Sequence, residues 1–259
     1  MKVIVKSLYF LKFGRLLLSS KCIFEIKGIT MSKTIIFGHR GYPAKFAENS
    51  LEGFEYVIHH GGEGIEFDVH LTKDGVPVIM HDEDIKRTTN GQGLIKDMTY
   101  QELEQYHLAN GEKIPRLIDL FKMIEGFDGF INLEMKTNKF DYPYLPEKIF
   151  AMAENFNFKH DLIYSSFNLE TLRHAVEINP QENYDFLTKK KIKNPEEFIK
   201  ENGLSGIHPH RLLKSAVAQR VWTVDRHWKA KRLIKAGAGG IFTNNFEDMI
   251  ALRDELQVN

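Results

Sequence analysis

Between residues 38 and 82 the chain sets out, in order, Gly38-His39-Arg40-Gly41, Ala47-Glu48-Asn49-Ser50, Glu66-Phe67-Asp68 and Met80-His81-Asp82. These polar groups fall at the ends of apolar segments or within them. Carboxylates are hard oxygen ligands for a divalent cation. Arginine clamps phosphate oxygens, and two imidazoles can supply the base and the acid of a proton transfer. The set is an inventory for cutting a phosphodiester.

The elements that must position these groups follow from periodicity. From residue 33 onward, short apolar runs alternate with helical patterns, as in a parallel α/β architecture. Strands are expected at Thr34–Phe37, Gly64–His70, Val76–Met80, Phe130–Met135, Leu162–Ser165, Tyr184–Leu187, Gly206–His208, Val221–Val224 and Gly240–Thr243. Leu51, Phe54 and Ile58 recur at helical spacing behind Asn49 or Ser50 as the cap. Thr99-Tyr100-Gln101-Glu102 is a capping-box pattern. Leu117, Leu120, Phe121 and Ile124 mark another helix. Pro146–Asn155, Trp228–Ala236 and Phe246–Leu256 read as helices, as do the segments after Asn168 and Asn194-Pro195. About eight βα units predict a single (β/α)₈ barrel, with an aperiodic excursion over residues 82–115, after the third strand.

Barrel enzymes build their sites at the C-terminal ends of the strands, where His39-Arg40, Glu66, Asp68, Glu134 and Lys136 all fall. Alternation puts Glu66 with Asp68, and Glu134 with Lys136, on one face each. Charges pointing into a barrel are costly unless compensated, and three convergent carboxylates suit Ca²⁺ or Mg²⁺ better than zinc. If Asp74-Gly75 is a two-residue hairpin turn, Lys73 faces Val76 and Asp68 lies directly opposite His81.

Composition sets the bounds. The 259 residues are 42% hydrophobic with a formal net charge of zero, enough for one large core and unlike a nucleic-acid binder that neutralises many phosphates. A single cysteine, Cys22, excludes an intrachain disulfide framework and fits a cytoplasmic setting. No run of eighteen apolar residues is present to span a bilayer as a helix. Residues 1–30 carry six basic residues against Glu25 alone. They are expected to be a leader or extension outside the fold, with residues 31–259 forming the barrel domain. A targeting or membrane-surface role is the alternative for that segment.

Single residues have ordinary readings: nine of the eleven histidines are expected on the surface or hydrogen-bonded in the core. Trp222 reads as core, with a substrate-wall role at the barrel mouth kept open. His208-Pro209-His210 and Arg211 read first as loop residues. The joint order of His-Arg, Glu-x-Asp, His-Asp and Glu-x-Lys resists such a reading.

That ordered set resembles the glycerophosphodiester phosphodiesterase family, a branch of the phospholipase-C-like phosphodiesterase barrels. The resemblance rests on His39-Arg40-Gly41, Glu48-Asn49, the run from Glu66 to Val78, His81-Asp82, Arg87-Thr88-Thr89-Asn90-Gly91, Leu133-Glu134-Met135-Lys136, Ser165-Ser166-Phe167 and Val221-Trp222-Thr223-Val224. It implies one divalent cation, Ca²⁺ or Mg²⁺, on Glu66, Asp68 and Glu134, with Glu48 in or beside the ligand set. It implies His39 and His81 as the acid–base pair and Arg40 and Lys136 on the phosphate, with Asn49 and Trp222 as candidates for the substrate pocket. The expected reaction is hydrolysis of a glycerophosphodiester to glycerol 3-phosphate and an alcohol. A lysophospholipase-D-like activity and an inactive phosphodiester- or protein-binding barrel are the alternatives. Two departures stand out: Asp225 where the family commonly has Asn, and Thr243-Asn244-Asn245-Phe246 in place of Thr-Asp-x-Pro. They are expected to touch the substrate pocket and the final loop. Oligomeric state has no sequence signal.

Overall fold

The computed structural model describes residues 23–26 and 29–258. In the first unit, Met1–Lys33, strands β1 (Ile23–Ile26) and β2 (Ile29–Ser32) form an antiparallel ladder with Ile23 opposite Ser32. The boundary expected after residue 30 therefore falls inside β2. Residues 1–22, and with them the expected leader or membrane-surface role, lie outside the described residues.

In the second unit, strands β3 (Ile35–His39), β4 (Gly64–Leu71), β6 (Phe130–Met135), β7 (Ile163–Ser166), β8 (Asn183–Thr188), β9 (Gly206–Pro209), β10 (Ala218–Val221) and β11 (Gly240–Thr243) pair parallel. Their order, β3-β11-β10-β9-β8-β7-β6-β4, closes through the β3–β4 pairing. The result is the expected eight-stranded (β/α)₈ barrel. Strand β5 (Pro77–Ile79) hangs antiparallel on β4. Closure leaves the barrel strands without a free edge.

Helix α1 (Leu51–His59) starts where Ser50 Oγ accepts from the Gly53 N–H at 3.1 Å, and it buries Phe54 and Val57. Helix α2 (Tyr100–Leu103) has the expected capping box. Helix α3 (Leu117–Ile124) buries the four apolar residues its spacing predicts. Helices α4 (Leu145–Ala153), α5 (Leu169–Ile178, capped by Asn168), α6 (Pro195–Glu201), α7 (His227–Lys235) and α8 (Phe246–Val258) complete the alternation. The core between barrel and helices joins Ile65, Phe67 and Val69 of β4 to Phe54, Val57, Leu120 and Phe121. Burying such a side chain is worth roughly 1.5–3 kcal/mol. Period-2 alternation then sends Glu66 and Asp68 to the opposite face of β4. The excursion after β5 holds its own small core of Val78, Met80, Ile85, Ile95, Leu103, Leu108 and Ile114.

Two local expectations are corrected. The β4–β5 connection is a three-residue loop: Thr72 pairs with Val76, and its hydroxyl accepts from the Val76 N–H at 2.8 Å. Gly75 takes the left-handed conformation (φ 76°) that closes the loop. One extra residue shifts the register by one, so Asp68 lies opposite Met80, whose N–H donates to Asp68 O at 3.1 Å. The strand expected at Val221–Val224 ends at Val221. Trp222 leaves the ladder and its indole N–H donates to the His208 carbonyl at 2.6 Å.

Candidate active site

The turn after β3 brings His39 and Arg40 over the barrel. Gly38 permits it, because a Cβ there would meet Gly41 O at 2.5 Å. Arg40 and Asn49 hold left-handed backbones (φ 55° and 57°), each costing a non-glycine residue roughly 1–2 kcal/mol. Both conformations serve the same cluster. The Arg40 N–H donates to Glu66 Oε2 at 2.9 Å, and Asn49 Nδ2 donates to Asp68 Oδ2 at 3.0 Å.

Glu66, Asp68 and Glu134 each offer an oxygen within 4.8 Å of the others, and all three are buried. Burial pushes the Glu66 carboxyl well up, and Asp68 and Glu134 beside it add to the rise. Burial also raises Glu134, against the pull of Lys136. Burial works the same way on Asp68 but is outweighed by Lys136 and Arg40, which hold it below the usual carboxylate range. Lys136 Nζ reaches Glu134 at 2.8 Å and Asp68 at 3.3 Å. Three mutually repelling carboxylates in a dry site, all with hard oxygen donors, fit a divalent cation. The buried Arg40 Nε makes no hydrogen bond and lies 3.6 Å from Asp68 Oδ2, an ion pair with one of the three carboxylates.

The two histidines approach this cluster from different sides. His39 is partly buried and brought down to about 4, by desolvation first and by Arg40 second. Its Nδ1 lies 2.8 Å from Asn244 Oδ1, and its Nε2 lies 3.9 Å from Glu66. Asp225 fixes this geometry. Its carboxylate accepts from Asn244 Nδ2 at 2.8 Å, from the Asn244 N–H at 2.8 Å and from Thr243 Oγ1 at 3.0 Å. A carboxylate only accepts, so the Asn244 amide must turn its oxygen to His39, and His39 must carry its proton on Nδ1. Nε2 is left with a lone pair.

His81 Nδ1 instead donates to a carboxylate, Asp82 Oδ1, at 2.6 Å. Arg87 Nε bonds the other oxygen of Asp82, and its terminal nitrogens reach Glu48 at 2.8 and 2.6 Å. Burial would raise Asp82, but Arg87 and His81 bring it to about 2. Buried His70 supports the segment from behind. Its Nε2 lies 3.3 Å from the His81 carbonyl, which can only accept, and its Nδ1 takes the Tyr142 hydroxyl at 3.0 Å.

One cavity of ≈ 440 Å³ is lined by His39, Arg40, Glu66, His81, Asn132 and Glu134, and on its other side by Phe167, His208 and Trp222. Trp222 is thus a cavity wall, the second of its two readings. His208 is buried beside Asp185, Nε2 to Oδ2 2.8 Å, rather than in a loop. Lys136 lines an adjoining cavity that shares His81 and Trp222.

Glu48, expected in or beside the ligand set, stands beside it: Arg40 and Arg87 both bond it, and they lower its carboxyl although burial would raise it. Asn49, expected in the substrate pocket, is fully buried and holds Asp68. The departures at Asp225 and Asn244 meet in space. They bond each other behind His39, so the Asn-for-Asp and Asp-for-Asn differences form one exchange within one pair. Sequence reasoning assigned no role to Asn244, Asp225, Arg87 or His70. Only Asp82, adjacent to His81, carried a readable signal.

Known proteins share this barrel. The glycerophosphoryl diester phosphodiesterase family profile matches residues 39–248. The chain is 34% identical over 237 residues to a glycerophosphodiester phosphodiesterase of Caldanaerobacter subterraneus subsp. tengcongensis, covering 85% of this chain and 98% of that one. It is 32% identical over 244 residues to one from Bacillus altitudinis, covering 86% of this chain and all of the relative (100%). Among solved structures, a phosphodiesterase of Oleispira antarctica in complex with the product sn-glycerol-3-phosphate superposes with a TM-score of 0.77 at 24% identity. The match covers 86% of this chain and 97% of that one. With the family profile spanning nearly the whole barrel and relatives matched end to end, the chain belongs to the glycerophosphoryl diester phosphodiesterase family.

Proposed function

We propose that the protein hydrolyses glycerophosphodiesters, such as glycerophosphocholine or glycerophosphoethanolamine, to glycerol 3-phosphate and an alcohol, with His39 as base and His81 as acid. One observation carries the reading: two carboxylates of a buried triad, Glu66 and Glu134, line one cavity together with Arg40 and two differently partnered histidines. The product held by the Oleispira antarctica relative supports the substrate class.

Glu66, Asp68 and Glu134 would hold a divalent cation, Ca²⁺ or Mg²⁺, which supplies charge stabilisation to the phosphoryl oxygens and acidifies a bound hydroxyl. Arg40 and Lys136 bind phosphoryl oxygens; fixed donors aimed at developing charge are the largest usual source of rate. His39 Nε2, unprotonated because Asn244 claims the Nδ1 proton, accepts the proton of the attacking hydroxyl, from water or the substrate's own glycerol. His81, its ring oriented by Asp82, delivers a proton to the departing alkoxide. Glu48 and Arg87 tie the two halves together by bonding Arg40 on one side and Asp82 on the other.

No helix among the described residues is long and apolar enough to cross a membrane. We read residues 1–30 as an extension and residues 31–259 as the catalytic domain, and propose a cytoplasmic setting on the single cysteine of the sequence.

Release of glycerol phosphate from glycerophosphocholine and glycerophosphoethanolamine tests the proposal. Release should need Mg²⁺ or Ca²⁺, stop with chelator and fall about 10²–10⁴-fold in His39→Ala. Chelator-resistant release, or full activity in His39→Ala, would reject it.

A further inference from the structure

We infer that among glycerophosphodiesters the protein favours those with an anionic headgroup, and that the mouth of the barrel beside β8 and β10 binds that headgroup. The inference rests on the phosphodiesterase reading and names the substrate class for it.

The adjoining cavity, ≈ 1050 Å³ in open volume, shares His81, Phe167, Leu187 and Trp222 with the catalytic cavity. A diester whose phosphate sits on Arg40 and Lys136 therefore extends its second alcohol past His81 into this space. Beyond Lys136, the walls carry Lys139, Lys189 and Lys190 against one acid, Glu83. Lys139 already bonds Glu83 at 2.5 Å, so that acid is engaged. Neither Lys189 nor Lys190 has a carboxylate partner among the described residues. They begin the run Lys189-Lys190-Lys191-Ile192-Lys193, which directly follows β8.

The aromatic surface argues against a cationic headgroup. Quaternary ammonium sites are aromatic boxes whose faces are open to the ligand. Here Phe167 and His210 meet Trp222 at 5.3 and 5.5 Å, and Lys189 Nζ stands 5.9 Å from its ring centroid. The tryptophan already faces a cation of the protein itself. Lys229 and Arg211 extend the positive field: with Lys189 they lower His210, whose partial burial is the first cause. Asp225, the acid nearest Lys229, is bound to Asn244 and Thr243. A choline group would add a cation to this cluster, whereas a phosphorylated or carboxylated alcohol would complete it.

The test compares kcat/KM for three soluble glycerophosphodiesters: glycerophosphocholine, glycerophosphoglycerol, and glycerophosphoglycerol carrying a terminal phosphate. Each is assayed with wild type and with Lys189→Glu/Lys190→Glu, whose altered positions are both exposed. Wild type should favour the phosphorylated headgroup over choline by about tenfold or more, less so at high salt. The double variant should erase or reverse that ratio. A wild-type preference for choline, or a ratio untouched by charge reversal, would overturn the inference and leave the phosphodiesterase reading standing. No turnover of any of the three would overturn both. The same three headgroups on lysophospholipids separate a soluble from a lipid source: an anionic preference larger there than on the soluble diesters assigns the site to a lipid headgroup.

Discussion

The two walls of the barrel mouth are built on opposite principles. On the wall of β3, β4 and β6, Glu66, Asp68, Glu134 and Lys136 are buried, and Arg40 and Asn49 accept left-handed backbones to reach them. On the wall of β8 and β10, Lys189 and Lys190 are exposed, and Trp222 has left its strand. Charges on the first wall are locked by one another, and Lys189 and Lys190 on the second face solvent. Rigid buried charge is what a reaction common to all substrates requires, and adaptable exposed charge on loops is what selection among headgroups requires.

Perturbing the first wall should cost far more than perturbing the second. Asp68→Ala removes the carboxylate that Arg40, Lys136 and Asn49 all address. Activity should fall at least about 10³-fold, with cation binding lost in calorimetry. A variant that still binds the cation and turns over within tenfold of wild type would erase the distinction between the walls.

Stability should follow the same line. His70 is buried neutral, brought from 6.5 to about 4 mainly by burial. Because its folded value is lowered, its contribution is fully present above pH 6.5 and is lost as pH falls toward 4, on the order of 3 kcal/mol. Denaturant titrations across that window should show stability falling with pH in wild type, and falling less steeply in His70→Asn. Parallel pH dependences would assign the loss to other groups.

The Asp225–Asn244 pair offers a finer test, since it supports His39 from outside the cavity. Asn244→Asp sets two carboxylates side by side and should lower kcat about 10–100-fold with little change in KM. Exchanging both residues, Asp225→Asn with Asn244→Asp, restores one donor and one acid and should recover most of the loss. Additive damage in the double variant would show that the pair packs rather than orients.

How much of this was legible in the sequence follows the same division. The acidic wall was readable because its residues lie on strands whose period-2 alternation is rigid and whose motifs fall within short stretches. Glu66 with Asp68, and Glu134 with Lys136, could therefore be set on their faces directly. The β4–β5 register was missed by one residue because the Thr72 side chain widens the turn, a hydrogen bond that the Asp74-Gly75 signal does not encode. Asn49 was misplaced because its left-handed backbone sends it to Asp68. The support behind His39 was invisible: Asn244 is 205 residues away in sequence, and only closure of β3 against β11 brings it near. The basic wall was missed because exposed lysines after a short strand look like any solvated loop.

The assignment of base and acid is the central claim, and a substrate that needs no acid tests it most directly. With glycerol 3-phosphate esterified to p-nitrophenol, the leaving group departs as a stable anion. His81→Ala should then recover to within about tenfold of wild type, while His39→Ala stays depressed by about 10²–10⁴-fold. Recovery of His39→Ala instead, or equal loss in both variants, would contradict the account.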